Sequence, residues 1–282
     1  MSRTVTFAFR NRSLKSGAAP ILMGILNVTP DSFFDGGRHV DAEAAADRAL
    51  AMLDEGAAII DIGGESTRPG FSPITAAEET ARILPVIRAI RRRTDAPLSI
   101  DTSKAAVAYA ALEAGADIVN DVSALSDPEM PDAIRRFSAG CVLMHHSAPP
   151  AGIPVAEAVR NWLQQRRDRA MAECGLPAEF FLCDPGIGFG KSQPQNIEII
   201  RDIALLSSLT GSGILLAVSR KSFISTASGM DTTPAERLPG SLAVAIHAAS
   251  AVDMLRVHDV AATRQAMAVF RAIHSHHNFP VN

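Results

Sequence analysis

Eight short apolar runs, rich in β-branched residues, recur along the chain and limit its fold more than any other feature. Between them lie Ala-, Glu- and Arg-rich stretches with helical spacing, such as 41–56 and 103–115, which end at glycines as many helices do. Nearly continuous apolar strands are typical of a parallel sheet covered on both faces. Eight strand–helix units favour an α/β fold closed into a (β/α)8 TIM barrel over an open sheet. The runs span 21–28, 58–64, 97–101, 117–121, 141–145, 180–184, 214–219 and 254–258.

The length and composition agree with one barrel domain. The chain has 282 residues, 47% of them hydrophobic, and such barrels commonly occupy about 250 residues. We predict the barrel over 20–282 and an N-terminal extension at 1–19, a strand or hairpin that closes the barrel bottom. The formal charge of -3 provides no basic surface for nucleic acid, and no apolar run has membrane length. Without a secretory signal, we expect a cytoplasmic enzyme or binding protein whose three cysteines are buried and inert.

Polar side chains stand at or just beyond the carboxyl end of every predicted strand. In a barrel these ends form one rim, which is where active sites are built. A single such residue is explained by a turn or a helix cap. Eight together indicate a functional site inside this rim, here called the mouth of the barrel, because burying charged groups without purpose is costly. The eight residues are Asn27, Glu65, Asp101, Asn120, His145, Asp184, Lys221 and His258.

Four of these groups suit a flat heterocycle. The carboxylates of Asp101 and Asp184 can each accept two parallel N–H bonds from an amidine-like edge. Asn120 adds an amide, and Lys221 can meet a ring carbonyl or nitrogen on the opposite edge. These residues therefore predict a binding site for a planar, donor-rich ring.

A second set offers an amide and cationic donors, the usual groups for an anion such as diphosphate. It consists of Asn27, Arg68, Arg256 and His258. Two long Gly/Pro-rich loops, 27–39 and 63–73, follow the first two strands and can serve as lids. The predicted ligand has a planar head and a phosphorylated tail.

The stretch DPGIGFGKS at 184–192 has glycines followed by Lys191 and Ser192, but it does not fit a nucleotide loop. A P-loop would need glycine where Pro185 stands, and proline has no N–H to offer a phosphate. The glycines also form G-x-G-x-G rather than the dinucleotide pattern G-x-G-x-x-G. We interpret the stretch as a strand end that delivers Asp184, followed by a glycine-rich bend.

The chain carries eight motifs in succession: MGILNVTPDSFFDGG (23–37), GGESTRPG (63–70), SIDTSK (99–104), IVNDVSA (118–124), VLMH (142–145), DPGIGFGK (184–191), SRKSFI (219–224) and LRVHDV (255–260). These motifs resemble those of dihydropteroate synthase, the folate-pathway target of sulfonamides. The resemblance runs in order from about residue 20 to the C-terminus. It implies a (β/α)8 barrel, usually dimeric, that joins 6-hydroxymethyl-7,8-dihydropterin diphosphate to 4-aminobenzoate and releases diphosphate with Mg²⁺ present.

The resemblance also implies residue roles. Asp101, Lys221, Arg256 and His258 would take part in catalysis. The pterin ring would contact Asp101, Asn120, Asp184, Lys221, Met144 and Phe189. The diphosphate would bind Asn27, Arg256 and His258, with Asn27 and Asp35 near Mg²⁺. The aminobenzoate site would be formed by Thr67, Arg68, Pro69, Phe33 and Ser222 once the diphosphate has ordered the loops.

Three alternatives stay open at this point: a pterin-dependent methyltransferase acting on a corrinoid protein, a noncatalytic pterin-binding paralogue, and a nucleotidase. The chain departs from the family pattern at the Phe pair 33–34 and at residues 146–150, where we expect His146 to be merely exposed. If the protein is a homodimer, the Ala-rich segment 234–251 is the predicted interface.

Overall fold

Two strands form an N-terminal hairpin and eight form a closed parallel barrel. The computed structural model describes residues 4–28, 38–65, 73–209 and 211–274, and of residues 38–41 the backbone alone. The hairpin strands are β1 (Thr6–Phe9) and β2 (Arg12–Lys15). The barrel strands are β3 (Ile21–Asn27), β4 (Ile59–Gly63), β5 (Leu98–Asp101), β6 (Ile118–Asp121), β7 (Gly140–Met144), β8 (Phe181–Asp184), β9 (Gly213–Ala217) and β10 (Met254–Val257).

Each barrel strand pairs with the next in chain order, and β10 pairs with β3 to close the ring. Helices follow the strands around the outside: α1 (Arg38–Glu55), α2 (Ala76–Arg91), α3 (Ala105–Glu113), α4 (Met130–Phe137), α5 (Val155–Cys174), α6 (Gln193–Arg201), α7 (Phe223–Ser228), α8 (Leu238–Ala248) and α9 (Val260–His274). The predicted (β/α)8 barrel is confirmed, and the strands lie within one or two residues of the apolar runs.

Side-chain alternation along the strands separates two cores. One set of residues, such as Ile60 and Ile62 of β4, packs outward against the helices, including Ile83 and Ile87 of α2. The other set points into the barrel and fills its lower half, with Ile59 as the example from β4. Because successive residues of a strand point to opposite faces, the inward set continues upward as the polar groups of the mouth.

The helices begin and end where local chemistry favours it. Thr75 caps α2 and forms a capping box with Glu78, which satisfies free N–H groups of the first turn. Gly56 follows α1 at φ 113°, a conformation that side chains rarely adopt. These boundaries mark where the loops between the helices and the barrel strands begin and end.

The N-terminal hairpin lies against the bottom of the barrel. Phe7 and Phe9 are almost fully buried and pack with the inward residues of the lower barrel. Gly140, the first residue of β7, permits this approach, since a Cβ there would lie 2.7 Å from Phe7 Cζ. Arg10 lies beside the buried Asp117, with 3.4 Å between Nε and Oδ1. The hairpin therefore seals the end of the barrel opposite the polar mouth.

The structure also bears on the thiols and on membrane insertion. Cys141, Cys174 and Cys183 are buried thiols that form no disulfide bond, as predicted. Burial raises the pKa of Cys174 to about 12, so its thiol stays protonated and unreactive. Within the described residues, no helix combines the length and the apolar character needed to cross a bilayer.

Candidate active site

A buried ion cluster lies across the barrel at the carboxyl ends of its strands. Arg256 of β10 donates from Nε to Asp61 Oδ2 of β4 at 2.5 Å and from NH2 to Asp101 Oδ2 of β5 at 2.7 Å. Asn120 of β6 donates from Nδ2 to the same Asp61 oxygen at 3.1 Å. Side chains from inward-facing positions of four strands thus form one hydrogen-bonded cluster.

Each of the two carboxylates keeps one oxygen that is buried and unpaired. No described residue donates to Asp61 Oδ1 or Asp101 Oδ1. Burial raises the pKa of Asp101 to about 7; Arg256 opposes this shift and Asp61 adds to it. Burial also opposes the charge of Arg256, but the two carboxylates outweigh it and raise the pKa of the guanidinium. Buried acceptors without partners are costly, so this arrangement calls for a ligand that brings N–H donors.

A second charged pair comes from β8 and the turn after β9. Asp184 accepts a hydrogen bond at Oδ1 from the N–H of Gly186 at 2.7 Å. Lys221 donates from Nζ to the carbonyl of Ile187 at 2.5 Å and lies 4.8 Å from the ring centre of Phe189. Burial lowers the pKa of Lys221 to about 8, although Asp184 favours its charge. Burial likewise raises the pKa of Asp184, and Lys221 opposes that shift.

Two polar groups lie at the ends of the neighbouring strands. His258 follows β10, and its Nδ1 lies 3.0 Å from Ser219 Oγ, which also accepts the His258 N–H at 3.2 Å. Asn27 ends β3, and a Cβ on Gly63 would lie 3.6 Å from Asn27 Oδ1 and 3.8 Å from Asp101 Cβ. The glycine leaves open the space between these two side chains. Within the described part of the chain, no cluster of three His, Cys, Asp or Glu side chains suits a metal ion.

Comparison with known proteins identifies the family to which this barrel belongs. The family described as pterin binding enzyme matches residues 23–258, which include all eight barrel strands except the first two residues of β3. The chain belongs to the pterin binding enzyme family.

The relatives within the family carry one name. A dihydropteroate synthase from Clostridium beijerinckii is 40% identical over 253 residues, covering 89% of this chain and 93% of that protein. Xanthomonas albilineans dihydropteroate synthase with 4-aminobenzoic acid is 40% identical with a TM-score of 0.87, covering 98% and 99% of the two chains. The same enzyme in complex with 7,8-dihydropteroate is 38% identical with a TM-score of 0.83, covering 95% and 99%. The resemblance to dihydropteroate synthase seen in the motifs is confirmed.

Of the residues predicted to bind the pterin, the diphosphate, the aminobenzoate or Mg²⁺, those that the structure describes lie at one mouth. Met144 is buried at the end of β7 and is in register with Asp184. Ser222 is exposed at the N-terminus of α7 and accepts a 3.4 Å hydrogen bond from Gln193 Nε2. The other described members, whose positions are given above, are Asp101, Asn120, Asp184, Lys221, Phe189, Asn27, Arg256 and His258. The remaining predicted residues, Phe33, Asp35, Thr67, Arg68 and Pro69, lie outside the described residues.

Two of the eight rim residues do not face the mouth, so for them the prediction was wrong. His145 follows the inward-facing Met144 and therefore points outward, where its ring lies 4.8 Å from that of Trp162 on α5. Burial lowers the pKa of His145 to about 3, so the ring is neutral. Glu65 pairs with Lys104 at 2.7 Å beside α2. The neighbouring His146 is exposed, as expected.

Sequence reasoning missed three residues that shape the site. Asp61 is an isolated charge inside the apolar run AIIDIGG, two residues before Gly63 and on the same face of the strand. That position was a usable signal for a buried functional carboxylate. Ser219 has no comparable signal, since its contact with His258 joins two strand ends. Lys191 was considered only as a nucleotide-binding lysine, and its actual contacts are tertiary.

Proposed function

We propose that this member of the pterin binding enzyme family is a dihydropteroate synthase. It would join 6-hydroxymethyl-7,8-dihydropterin diphosphate to 4-aminobenzoate and release diphosphate, a transferase step of folate biosynthesis. The observation that carries the proposal is the pair of buried, unpaired carboxylate oxygens on Asp61 and Asp101 at the barrel mouth. A pterin ring brings several N–H donors on one edge, which is the chemistry these acceptors lack.

In this proposal the pterin ring lies among the inward groups of the mouth. Asp101 and Asp184 accept N–H bonds from the ring, and Asn120 is held in place by its bond to Asp61. Lys221 donates to a ring carbonyl or ring nitrogen from the other side. Met144 and Phe189 supply apolar contact. The contacts are consistent with a flat, polar-edged ligand and do not require a nucleotide.

Arg256 connects the ring site to the proposed diphosphate site. Its NH2 group donates to Asp101, the carboxylate that the pterin would also use, whereas Nε is held by Asp61. Because the guanidinium is a rigid plane with five N–H donors, its remaining N–H groups would bind the diphosphate while Nε stays on Asp61. His258, positioned by Ser219, and Asn27 complete the anion site. Binding of the pterin ring and binding of the diphosphate would thereby be coupled through Arg256.

Mg²⁺ is proposed to bind together with the diphosphate. Asn27 fits the role, because its Oδ1 borders the open space beside Gly63 and an amide oxygen is a suitable ligand. Asp35 is the second proposed ligand. Mg²⁺ usually takes one or two carboxylate or amide groups plus phosphate oxygens and waters, which suits a site with few protein ligands. When bound, it supplies positive charge to the leaving diphosphate.

The chemistry then rests on positioning and electrostatics. The reacting carbon carries a diphosphate leaving group next to a conjugated ring, so we propose a dissociative displacement in which the pterin stabilises the developing cation. Arg256 and His258 would stabilise the departing negative charge. The arylamine is already neutral near pH 7, so attack needs no strong general base. Water or the leaving diphosphate takes its proton.

Several finer assignments also stay proposals. Phe33, Thr67, Arg68 and Pro69 would form the aminobenzoate site with Ser222, and sulfonamides would compete there. We further propose a homodimer built on residues 234–251 and a cytoplasmic location.

The direct test is a two-product assay. Purified protein is incubated with dihydropterin diphosphate, 4-aminobenzoate and Mg²⁺, and diphosphate and dihydropteroate are followed by chromatography. We expect equal amounts of both products, no turnover for Lys221→Ala and parental turnover for Lys15→Ala, an exposed lysine on β2. Pterin binding without either product would replace the synthase by the noncatalytic paralogue. Methyl transfer to a corrinoid protein would favour the methyltransferase.

A further inference from the structure

Lys191 is a lysine to which the proposed function assigns no role. Its Nζ donates to the carbonyls of His145 at 2.9 Å, Gly186 at 3.0 Å and Phe189 at 2.9 Å. An ammonium has three donors, so all of them are used on the backbone. Within the described residues, no carboxylate lies at ion-pair distance from it.

The backbone around this ammonium has an unusual path that creates a need for donors. Gly186, Gly188 and Gly190 all have positive φ, at 67°, 87° and 62°. A Cβ on Gly186 would lie 1.9 Å from the carbonyl oxygen of His145, and one on Gly190 would lie 2.6 Å from that of His146. The loop after β8 is therefore pressed against the loop after β7. Carbonyls from both loops converge on the ammonium. The Gly186 carbonyl also accepts the N–H of Phe189 at 3.1 Å, so a side chain with fewer donors would leave chiefly the carbonyls of His145 and Phe189 without a partner.

The same loop supplies the groups that orient the pterin-site charges. The N–H of Gly186 bonds Asp184, and the carbonyl of Ile187 accepts from Lys221. The ring of Phe189 lies beneath the Lys221 ammonium, and Phe189 is itself bound to Lys191 through its carbonyl. Each of these contacts depends on the path that the loop takes around Lys191.

We propose that Lys191 is a positioning residue for pterin binding: by joining three carbonyls of two loops, its ammonium sets the loop that orients Asp184 and Lys221. It does not touch the substrate. This inference rests on the pterin-binding function proposed above, and it gives the lysine of DPGIGFGKS a role that differs from phosphate binding. Burial lowers the pKa of Lys191 to about 8, and the Asp184 carboxylate opposes this shift.

The test compares Lys191→Met with a matched structural variant. Ser192→Ala removes the N-cap of α6 one residue further on and leaves the carbonyl contacts of Lys191 in place. Dihydropterin affinity is measured by calorimetry, and the KM for 4-aminobenzoate is measured at saturating pterin diphosphate. We expect Lys191→Met to weaken pterin binding about ten- to a hundredfold, as small displacements of binding groups do. The KM for aminobenzoate should change less than about threefold, and Ser192→Ala should leave both values near those of the parent.

Other outcomes would overturn the proposal. Pterin affinity of Lys191→Met within about threefold of the parent would show that the ammonium positions nothing, and equal losses for both substrates would show a general structural defect. If the methionine variant does not fold, Lys191→Gln is held to the same tenfold criterion. Absence of pterin binding in the parent protein would instead reject the proposed function itself, so the two failures are distinguishable.

Discussion

Lowering the pH from about 8 to about 6 is expected to weaken pterin binding roughly tenfold through Asp101. The ring site needs this carboxyl group as an acceptor, and its pKa is raised to about 7 by burial. One unit below that pKa, only about a tenth of the Asp101 side chains are ionised, whereas about nine in ten are ionised one unit above it. Because binding requires the ionised form, the dissociation constant rises in the same proportion.

The sign of the effect on stability is opposite. In the folded chain the pKa of Asp101 is about 7, whereas an aspartate ordinarily has a pKa of 3.8, as it would in the unfolded chain. Between these values the folded state binds more protons than the unfolded state, so the contribution of Asp101 to stability falls as the pH rises.

The assay is calorimetric titration with dihydropterin across this pH range, corrected for the titration of the ligand alone. Asp101→Asn serves as the control, because its side chain cannot titrate and its weaker binding should lose the acid dependence. An affinity that stays constant between about pH 8 and 6, or an asparagine variant with the same pH dependence as the parent, would refute the assigned role of the Asp101 carboxylate.

Two further predictions concern the scaffold, and both are measured by urea denaturation. Lys104→Met should lower the free energy of unfolding by about 3–5 kcal/mol, because it leaves the fully buried carboxylate of Glu79 without a cation. Lys15→Met, on the exposed side of the hairpin, should change it by less than about 0.5 kcal/mol, and a similar value for both would contradict the argument. Phe9→Ala should lower the free energy of unfolding by about 3–5 kcal/mol, because it leaves a cavity in the core at the bottom of the barrel. The exposed Ser13→Ala is its control, and a loss below about 1 kcal/mol for Phe9→Ala would show that the packing of Phe9 does not stabilise the barrel.

The repeating pattern was enough to predict the barrel and its rim. Apolar runs alternating with helical stretches are local properties, and a parallel sheet must place the ends of its strands at one edge. Asp101, Asn120 and Asp184 could therefore be assigned to one site from their positions after the runs, and the structure brings them together with Lys221 and Arg256.

The errors arose where the direction of a side chain decided the outcome. His145 and Glu65 stand at the correct height but point away from the mouth, because a shift of one residue reverses the face of a strand and residues beyond its end follow the loop. Asp61 has the correct face and was overlooked because it lies inside an apolar run.

By itself, the sequence determined the periodicity, the strand ends and the set of chemical groups available to a planar, phosphorylated ligand, because these follow from residue type and spacing. Only the tertiary structure decided which groups meet. Arg256 reaches Asp61 across 195 residues of sequence, and Lys191 joins carbonyls from two different loops. Such contacts depend on barrel closure and on backbone direction, which a linear pattern does not contain. The need of Asp61 Oδ1 and Asp101 Oδ1 for a hydrogen-bond donor likewise follows from the tertiary structure, because it is the folded barrel that buries them away from water.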